Sequence, residues 1–185
     1  MTETFDEGAS GSARTAAVIE SYCLKNDLPC EKTITPDTNN TTYVIVLPGT
    51  HKLMTNVALS IGKHSLTINA FVARNPDENH KGVYEWLLER NRRMYAVAFS
   101  IDQFGDIYLT GKVPNENLSE AELDRILGAV LEYSDNSFNT ILELGFETAI
   151  RKEWAWRVKA GESTANLEAF AHLARPRETD PPQAD

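Results

Sequence analysis

Residues 100–111, SIDQFGDIYLTG, constrain the fold more than any other part of the chain, because a turn signal lies between two alternating apolar runs. Aspartate is favoured at the first position of a type I turn, where its carboxylate accepts backbone N–H groups, and the glycine that follows suits positive φ. A turn at residues 102–105 gives an apolar face and pairs Asp102 with Asp106, Ile101 with Ile107, Phe99 with Leu109 and Val97 with Gly111. A calcium loop needs more alternating oxygen ligands than this stretch offers. The pattern therefore predicts a β-hairpin rather than a metal or acid–base site.

Three further strands are predicted before this hairpin. A β-branched run at residues 42–49, TYVIVLPG, ends in Pro48-Gly49, which favours a type II turn with positive φ at the glycine. Residues 53–61 and 64–74 form the next two strands. A two-residue loop at Gly62-Lys63 joins them and pairs Ile61 with His64, Leu59 with Leu66 and Val57 with Ile68. Nearly every residue on the paired face is then apolar, which supports this hairpin.

Helical spacing of apolar residues predicts three helices around these strands. The first covers about residues 13–27, with Ser12 as its N-cap. The second lies within residues 75–94 and ends in an arginine cluster. The third begins after Ser119, whose Ser-x-x-Glu sequence is a capping box, and YSDNS at residues 133–137 predicts a kink or a split in it. The order α-β-β-β-α-β-β-α predicts an α+β fold, an antiparallel sheet with helices packed on one face.

The charge and length of the chain limit its partners and its organisation. The 185 residues include 27 acidic and 18 basic side chains, for a formal charge of −9. Such a surface repels phosphate backbones and anionic lipid, so we expect neither nucleic acid nor a membrane as a partner. The acidic N-terminus has no signal-peptide core, and we expect a cytoplasmic protein. The length fits a single domain at residues 12–160, between a disordered tail at 1–11 and a partly disordered C-terminal extension at 161–185.

The reactive side chains form no catalytic pattern in the sequence. Cys23 and Cys30 do not form a Cys-x-x-Cys motif, so the sequence predicts no redox role for them. The histidines are scattered, and no pair has the close spacing of a zinc site. We therefore expect no enzymatic activity, no metal and no cofactor. The alternative is a hydrolase whose site is assembled from residues distant in sequence, with Asp102, Asp106, His64 and His80 as its candidates.

Two groups of residues are predicted to bind a partner. Arg90, Arg92 and Arg93 form a basic cluster, which either contacts an anion or complements the negative end of a helix dipole. Trp154 and Trp156 are two positions apart and do not share a helical face, so at least one is expected in the core, and the other is exposed or folded back onto the body. An anionic metabolite or nucleotide sensor that uses the arginines is the alternative function.

Residues 80–145 resemble the YbjN-domain family in its actinobacterial form. The resemblance lies in an aliphatic-aromatic helix that ends in ERN, followed by AFSIDQFGDIYLTGKVP and LSEAELDRIL. It is good over residues 64–150 and extends to 13–155 with the weaker N-terminal half. The resemblance implies the fold of type III secretion chaperones, which are homodimers that bind extended segments of other proteins, and a role as a sensory-transduction regulator. The expected function is therefore a non-enzymatic, chaperone-like adaptor or regulator that forms a homodimer and binds a protein partner.

Overall fold

The computed structural model describes residues 7–35, 40–116 and 118–174. In chain order its elements are α1 (Glu7–Lys25), β1 (Cys30–Thr35), β2 (Asn40–Pro48), β3 (Met54–Ile61), β4 (Ser65–Ala73), α2 (His80–Asn91), β5 (Val97–Ile101), β6 (Ile107–Pro114), α3 (Glu120–Ala160) and a 3₁₀ helix (Ala165–Ala174). The predicted order is confirmed, with β1 as an additional strand before β2. None of the helices in the described ranges is both long and apolar enough to cross a membrane.

The strands form one antiparallel sheet in the order β1-β2-β3-β4-β6-β5. Buried side chains alternate with more exposed ones along the strands from β2 to β6, so the apolar residues share one face. The three α-helices pack against this face and bury it. The core includes Ile19 of α1, Tyr43, Leu59 and Ile68 of the sheet, and Ile126 of α3, each at most 1% exposed. The predicted α+β fold, with helices on one face of an antiparallel sheet, is confirmed.

The β5–β6 hairpin has the predicted register and turn. Ile101 pairs with Ile107, Phe99 with Leu109 and Val97 with Gly111. The Gly105 N–H donates to the Asp102 carbonyl over 3.1 Å, and Gly105 has a positive φ of 83°. Asp102 Oδ1 accepts the N–H groups of Phe104 and Asp106 over 2.8 and 2.9 Å. The first aspartate and the glycine therefore serve the reversal of the chain.

The β3–β4 hairpin has the predicted apolar face, but the predicted register is wrong. Ile61 pairs with Leu66, Leu59 with Ile68 and Val57 with Ala70. The loop is Lys63-His64, because the Gly62 N–H donates to the Ser65 carbonyl over 2.9 Å. Moving the loop by one residue shifts every pair by two positions, which preserves the face. Contacts distant in sequence favour this loop, since Ser12 Oγ and Asn115 Nδ2 donate to the Gly62 carbonyl over 3.0 and 2.9 Å.

The predicted type II turn at Pro48-Gly49 is wrong. Positive φ occurs at Gly105 and Gly161 among the described glycines, and not at Gly49. A Cβ at Gly49 would lie 2.2 Å from the carbonyl oxygen of Lys52 and 2.5 Å from Asp135 Oδ1. Glycine is therefore required here by the close approach of α3 and of the turn itself, rather than by a backbone torsion.

α3 is kinked at Phe146, where φ is −140° and ψ is 19°. The Gly145 carbonyl accepts the N–H of Glu78 over 3.1 Å. The Glu78 carboxylate in turn accepts the Thr148 N–H over 2.6 Å, which caps the helix where it resumes. The kink or split predicted at residues 133–137 is therefore wrong, because a contact with the loop before α2 sets the position of the bend.

The two ends of the fold extend further than the predicted domain. α1 begins at Glu7 and includes residues 7–11 of the predicted tail, so Ser12 lies inside the helix and is not its N-cap. In the predicted C-terminal extension, Phe170 and Leu173 of the 3₁₀ helix pack against Ile150 of α3 in a small separate cluster. The disorder predicted for residues 1–6 and 175–185 falls outside the described residues.

Candidate functional site

One edge of the sheet is closed by a side chain. The register of β5 with β6 directs the backbone N–H and C=O groups of Val97, Phe99 and Ile101 away from β6. Asn91, in the last turn of α2, binds both groups of Phe99. Its Oδ1 accepts the Phe99 N–H over 2.7 Å, and its Nδ2 donates to the Phe99 carbonyl over 3.1 Å. An incoming strand cannot pair with Phe99 while these bonds are present.

The opposite edge, formed by β1, is open. β1 pairs with β2 on one side, and no strand of the described residues lies on its other side. The Val46 N–H donates to the Pro29 carbonyl over 3.1 Å, and the alternation that follows directs the backbone groups of Cys30, Lys32 and Ile34 away from β2. All residues of β1 are exposed. β1 is therefore an edge strand with which another chain can pair.

A cleft of about 320 Å³ lies between α1 and β1, and we call it the edge cleft. It is lined by Glu20, Cys23, Leu24, Asp27, Leu28, Cys30, Lys32 and Tyr43. Glu20 accepts hydrogen bonds from Lys32 Nζ over 2.8 Å and from the Tyr43 hydroxyl over 2.6 Å. These two bonds, the one from Lys32 first, lower the pKa of Glu20. Leu24 is 85% exposed, so the edge cleft combines an unburied apolar side chain with an ion pair.

The structure brings Cys23 and Cys30 together in the edge cleft. Cys23 lies near the end of α1 and is buried, whereas Cys30 begins β1 and is exposed. Burial, and then a hydrogen bond with the Cys30 thiol, raise the pKa of the Cys23 thiol to about 12. Sequence reasoning missed this pair because a seven-residue spacing is not a redox motif, and only the reversal of the chain after α1 brings both cysteines to one cleft.

The three predicted arginines line a second cleft, of about 520 Å³, between α2 and α3, and we call it the arginine cleft. The Arg90 guanidinium carbon lies 3.8 Å from the centroid of the Trp86 ring. Glu89 and Glu132 also line the cleft. Within the ranges that the structure describes, neither carboxylate forms an ion pair with Arg90, Arg92 or Arg93. The cleft can attract an anion, although the C-terminal carbonyls of α2 oppose this in part.

The predicted tryptophans lie on a different surface from the arginines. Trp154 is half-buried and Trp156 is 56% exposed, both on α3 beyond the kink. Seventeen residues, with the kink at Phe146 among them, separate Trp154 from Ser137 of the arginine cleft. The structure therefore does not bring the two groups of predicted residues into one site.

The candidates of the hydrolase alternative come from three separate elements. Asp102 caps the β5–β6 turn, and Asp106 Oδ1 accepts the Asn75 N–H over 2.7 Å. His64 lies in the β3–β4 loop, and His80 begins α2. Among the residues described here, no three His, Cys, Asp or Glu side chains are placed to hold a metal ion. Both aspartates therefore have a structural role in forming and positioning a turn.

Sequence reasoning also missed Asp135, whose carboxylate holds the β2–β3 turn, and we call this arrangement the Asp135 clasp. Oδ1 accepts the N–H groups of Thr50, His51 and Lys52 over 2.9, 2.8 and 2.9 Å, and Oδ2 lies 3.0 Å from His51 Nδ1. Burial acts to raise the pKa of Asp135, but the hydrogen bonds from Lys52, His51 and Thr50 outweigh it and hold the pKa below its usual 3.8. The sequence did offer one signal for Asp135: aspartate is a poor helix former, and here it occupies a core-facing position of a predicted helix.

Solved structures similar to this chain include two complexes. The chaperone–effector complex of HopA1 and SchA has a TM-score of 0.49 and 12% identity, and the match covers 68% of this chain and 93% of that chain. The Yersinia pestis type III secretion chaperone SycH, in complex with a stable fragment of YscM2, has a TM-score of 0.45 and 13% identity. The match covers 65% of this chain and 96% of that chain. The similarity concerns the arrangement of helices and strands.

Mycobacterial proteins are similar to this chain in sequence. An uncharacterized protein of Mycobacterium leprae is 55% identical over 130 residues, which are 70% of this chain and 71% of that protein. An uncharacterized protein of Mycobacterium tuberculosis is 51% identical over 142 residues, 77% of each chain. The model of the YbjN family, described as "Putative bacterial sensory transduction regulator", matches residues 15–143. The chain therefore belongs to the YbjN family, as the resemblance in residues 80–145 predicts.

Proposed function

We propose that this protein is a non-enzymatic protein-binding module that receives an extended segment of a partner on the open edge of β1. The contrast between the two edges of the sheet supports this most directly. Asn91 occupies the backbone groups of Phe99 on β5, whereas β1 presents outward backbone groups from Cys30 to Ile34. Strand addition is a general mode of peptide recognition, in which main-chain hydrogen bonds provide affinity and side-chain pockets provide specificity.

The edge cleft supplies the pocket for such a segment. A strand that pairs with β1 alternates its side chains between the two faces of the sheet, and those on the helix face enter the edge cleft. There they meet Leu24 and Leu28 together with the ion pair between Glu20 and Lys32. A segment with an apolar side chain flanked by polar ones fits this lining.

Proline substitution tests the proposal while leaving the sheet intact. The Ile34 N–H points away from β2, so Ile34→Pro removes a donor for the partner and keeps the bonds between β1 and β2. Ile101→Pro is the matched control, because Ile101 has an outward N–H on the opposite edge and is 50% exposed, against 54% for Ile34. Peptides selected from a random displayed library on the immobilised protein serve as ligands, and fluorescence polarisation measures their affinity.

We expect Ile34→Pro to weaken the selected peptides about tenfold or more, which corresponds to about 1.4 kcal/mol, and Ile101→Pro to leave their affinity unchanged. Equal weakening by the two variants, or none by Ile34→Pro, would show that binding uses another surface. A library that yields no binding peptide would also count against the proposal.

Homodimer formation is a further part of this proposal. A second copy of the chain can also pair through β1, which would join two sheets edge to edge. Sedimentation equilibrium of the parent and of Ile34→Pro separates the possibilities. A dimer that Ile34→Pro weakens uses β1, whereas one that it leaves unchanged uses another surface, for which Trp154 and Trp156 are the predicted residues. A protein that stays monomeric at micromolar concentration contradicts the homodimer.

A second candidate function is a sensor of an anionic metabolite at the arginine cleft. It is favoured by arginines that lie beside Trp86 without a carboxylate partner among the described residues. Nucleotides and phosphorylated sugars in a thermal-shift screen are the probes. We expect a binding anion to raise the melting temperature of the parent and of Arg74→Ala, where the arginine is exposed and outside the cleft, but not of Arg92→Ala. A screen without any response removes this candidate.

A further inference from the structure

We propose that Cys23 and Cys30 form an intramolecular disulfide when the protein meets hydrogen peroxide, and that a dithiol reverses the reaction. The bond would join the end of α1 to the start of the open edge strand. The inference goes beyond the proposed function, because oxidation of the thiols requires no partner protein. It rests on a buried thiol and an exposed thiol that line the same edge cleft.

Backbone hydrogen bonds hold both cysteines in position. The Leu28 N–H donates to the Cys23 carbonyl over 3.0 Å, so the connection turns back onto the end of α1. The Val46 N–H donates to the Pro29 carbonyl over 3.1 Å, which fixes the residue before Cys30 to β2. Both cysteines line the edge cleft, and the Cys30 side chain acts, after burial, to raise the pKa of the Cys23 thiol, so the disulfide would join two neighbouring side chains.

The difference in exposure gives the two cysteines different roles. Cys30 is exposed and meets the peroxide first. Cys23 is 5% exposed, so burial protects it from direct oxidation by peroxide in the solvent. Cys23 is therefore the resolving thiol, which reacts with the oxidised Cys30 beside it.

The chemistry balances with one peroxide for each disulfide. The Cys30 thiolate attacks one peroxide oxygen, an S–O bond forms, the O–O bond breaks, and the departing hydroxide takes up a proton to become water. The Cys23 sulfur then attacks the sulfenic sulfur of Cys30. The S–S bond forms, the S–O bond breaks, and the hydroxyl leaves with the Cys23 proton as a second water. Two thiols are oxidised and one peroxide is reduced to two waters.

The test uses the full chain, treated with increasing hydrogen peroxide, quenched with catalase and then labelled with a maleimide in denaturant. We expect the parent to lose about 2 Da, the mass of two hydrogen atoms, and to accept no label until dithiothreitol restores both thiols. Cys30→Ser is the matched control at an exposed position, and its Cys23 should remain available to the label. Cys23→Ala should leave a sulfenic acid on Cys30, which dimedone traps.

Two outcomes would overturn the inference. One is a parent that still accepts two labels at peroxide concentrations that oxidise Cys30 in Cys23→Ala, because the thiols would then be unable to react with each other. The other is oxidation that yields only dimers linked between chains on non-reducing electrophoresis. Urea denaturation of each variant shows that it is folded before treatment. If Cys23→Ala is unstable, a short peptide with one cysteine gives the peroxide concentration at which an exposed thiol is oxidised.

Discussion

Removal of the Asp135 carboxylate is expected to destabilise the protein more than most single substitutions. In Asp135→Ala, the N–H groups of Thr50, His51 and Lys52 lose the acceptor that they share. A hydrogen bond to a charged group contributes about 1.5–3 kcal/mol, but Thr50 and His51 are exposed, and water can replace part of the loss. We therefore expect the free energy of unfolding to fall by about 3 kcal/mol rather than by the sum of three separate bonds.

Urea denaturation followed by tryptophan fluorescence measures this difference. Asp135→Asn is the graded control, because its amide oxygen can still accept N–H groups while the charge is lost, and we expect a loss of about 1–2 kcal/mol. Gly49→Ala should also be destabilising, since its Cβ would lie 2.5 Å from Asp135 Oδ1. An Asp135→Ala variant within about 0.5 kcal/mol of the parent would refute the reasoning, because it would show that water satisfies the turn equally well.

The same carboxylate gives the stability a defined pH dependence. The pKa of Asp135 in the folded protein is below the ordinary 3.8, so the folded state favours the ionised form. Its contribution is present in full above about pH 5 and is lost as the pH falls through 3.8 toward the folded-state pKa. We expect Asp135→Asn to lose this part of the acid sensitivity, and urea midpoints measured between pH 3 and pH 6 test it. A variant as acid-sensitive as the parent would contradict the assignment.

Three further predictions concern single substitutions to alanine. Asn91→Ala should lower the free energy of unfolding by about 1–2 kcal/mol in urea denaturation, because Phe99 loses two hydrogen bonds, and it should increase self-association in sedimentation by opening the β5 edge. Gly105→Ala should cost about 1–2 kcal/mol in the same assay, since φ is 83° and the Cβ would lie 2.6 Å from the Asn75 side chain; an unchanged value would contradict the turn geometry. Gly128→Ala in α3 meets nothing within 4 Å and should raise the free energy by about 0.5–1 kcal/mol, whereas a loss would indicate a contact that the structure does not contain.

The parts of the fold that the sequence predicts correctly are encoded within a few residues. The Asp-Gln-Phe-Gly turn is recognisable from its own residues, because the bond from the Gly105 N–H to the Asp102 carbonyl and the positive φ of Gly105 lie inside the tetrapeptide. The Ser119 cap is equally local, since its Oγ accepts the Glu122 N–H over 3.1 Å. The helices on one face follow from apolar periodicity, which reports burial directly.

The structure departs from the predicted turns and loops where a contact distant in sequence overrides a local preference. The Gly62 carbonyl binds Ser12 and Asn115, and this shifts the β3–β4 loop away from the glycine. Gly49 is required by its approach to Asp135, and no turn rule contains that information. β1 was missed for a different reason: every side chain on it is exposed, so it lacks the alternation by which a half-buried strand is recognised.

The asymmetry of the two sheet edges links the fold to the proposed function. Unpaired edges promote aggregation, and proteins usually protect them with a proline, a bulge, a charge or a covering side chain. On β5 this protection comes from Asn91 at the end of α2, whose side chain binds both backbone groups of Phe99. On β1 the charge of Lys32 is paired with Glu20 and drawn toward α1, and among the described residues no side chain binds the outward backbone groups as Asn91 does on β5. A sheet that protects one edge and leaves the other available is expected to have that second edge covered by another chain when the protein acts.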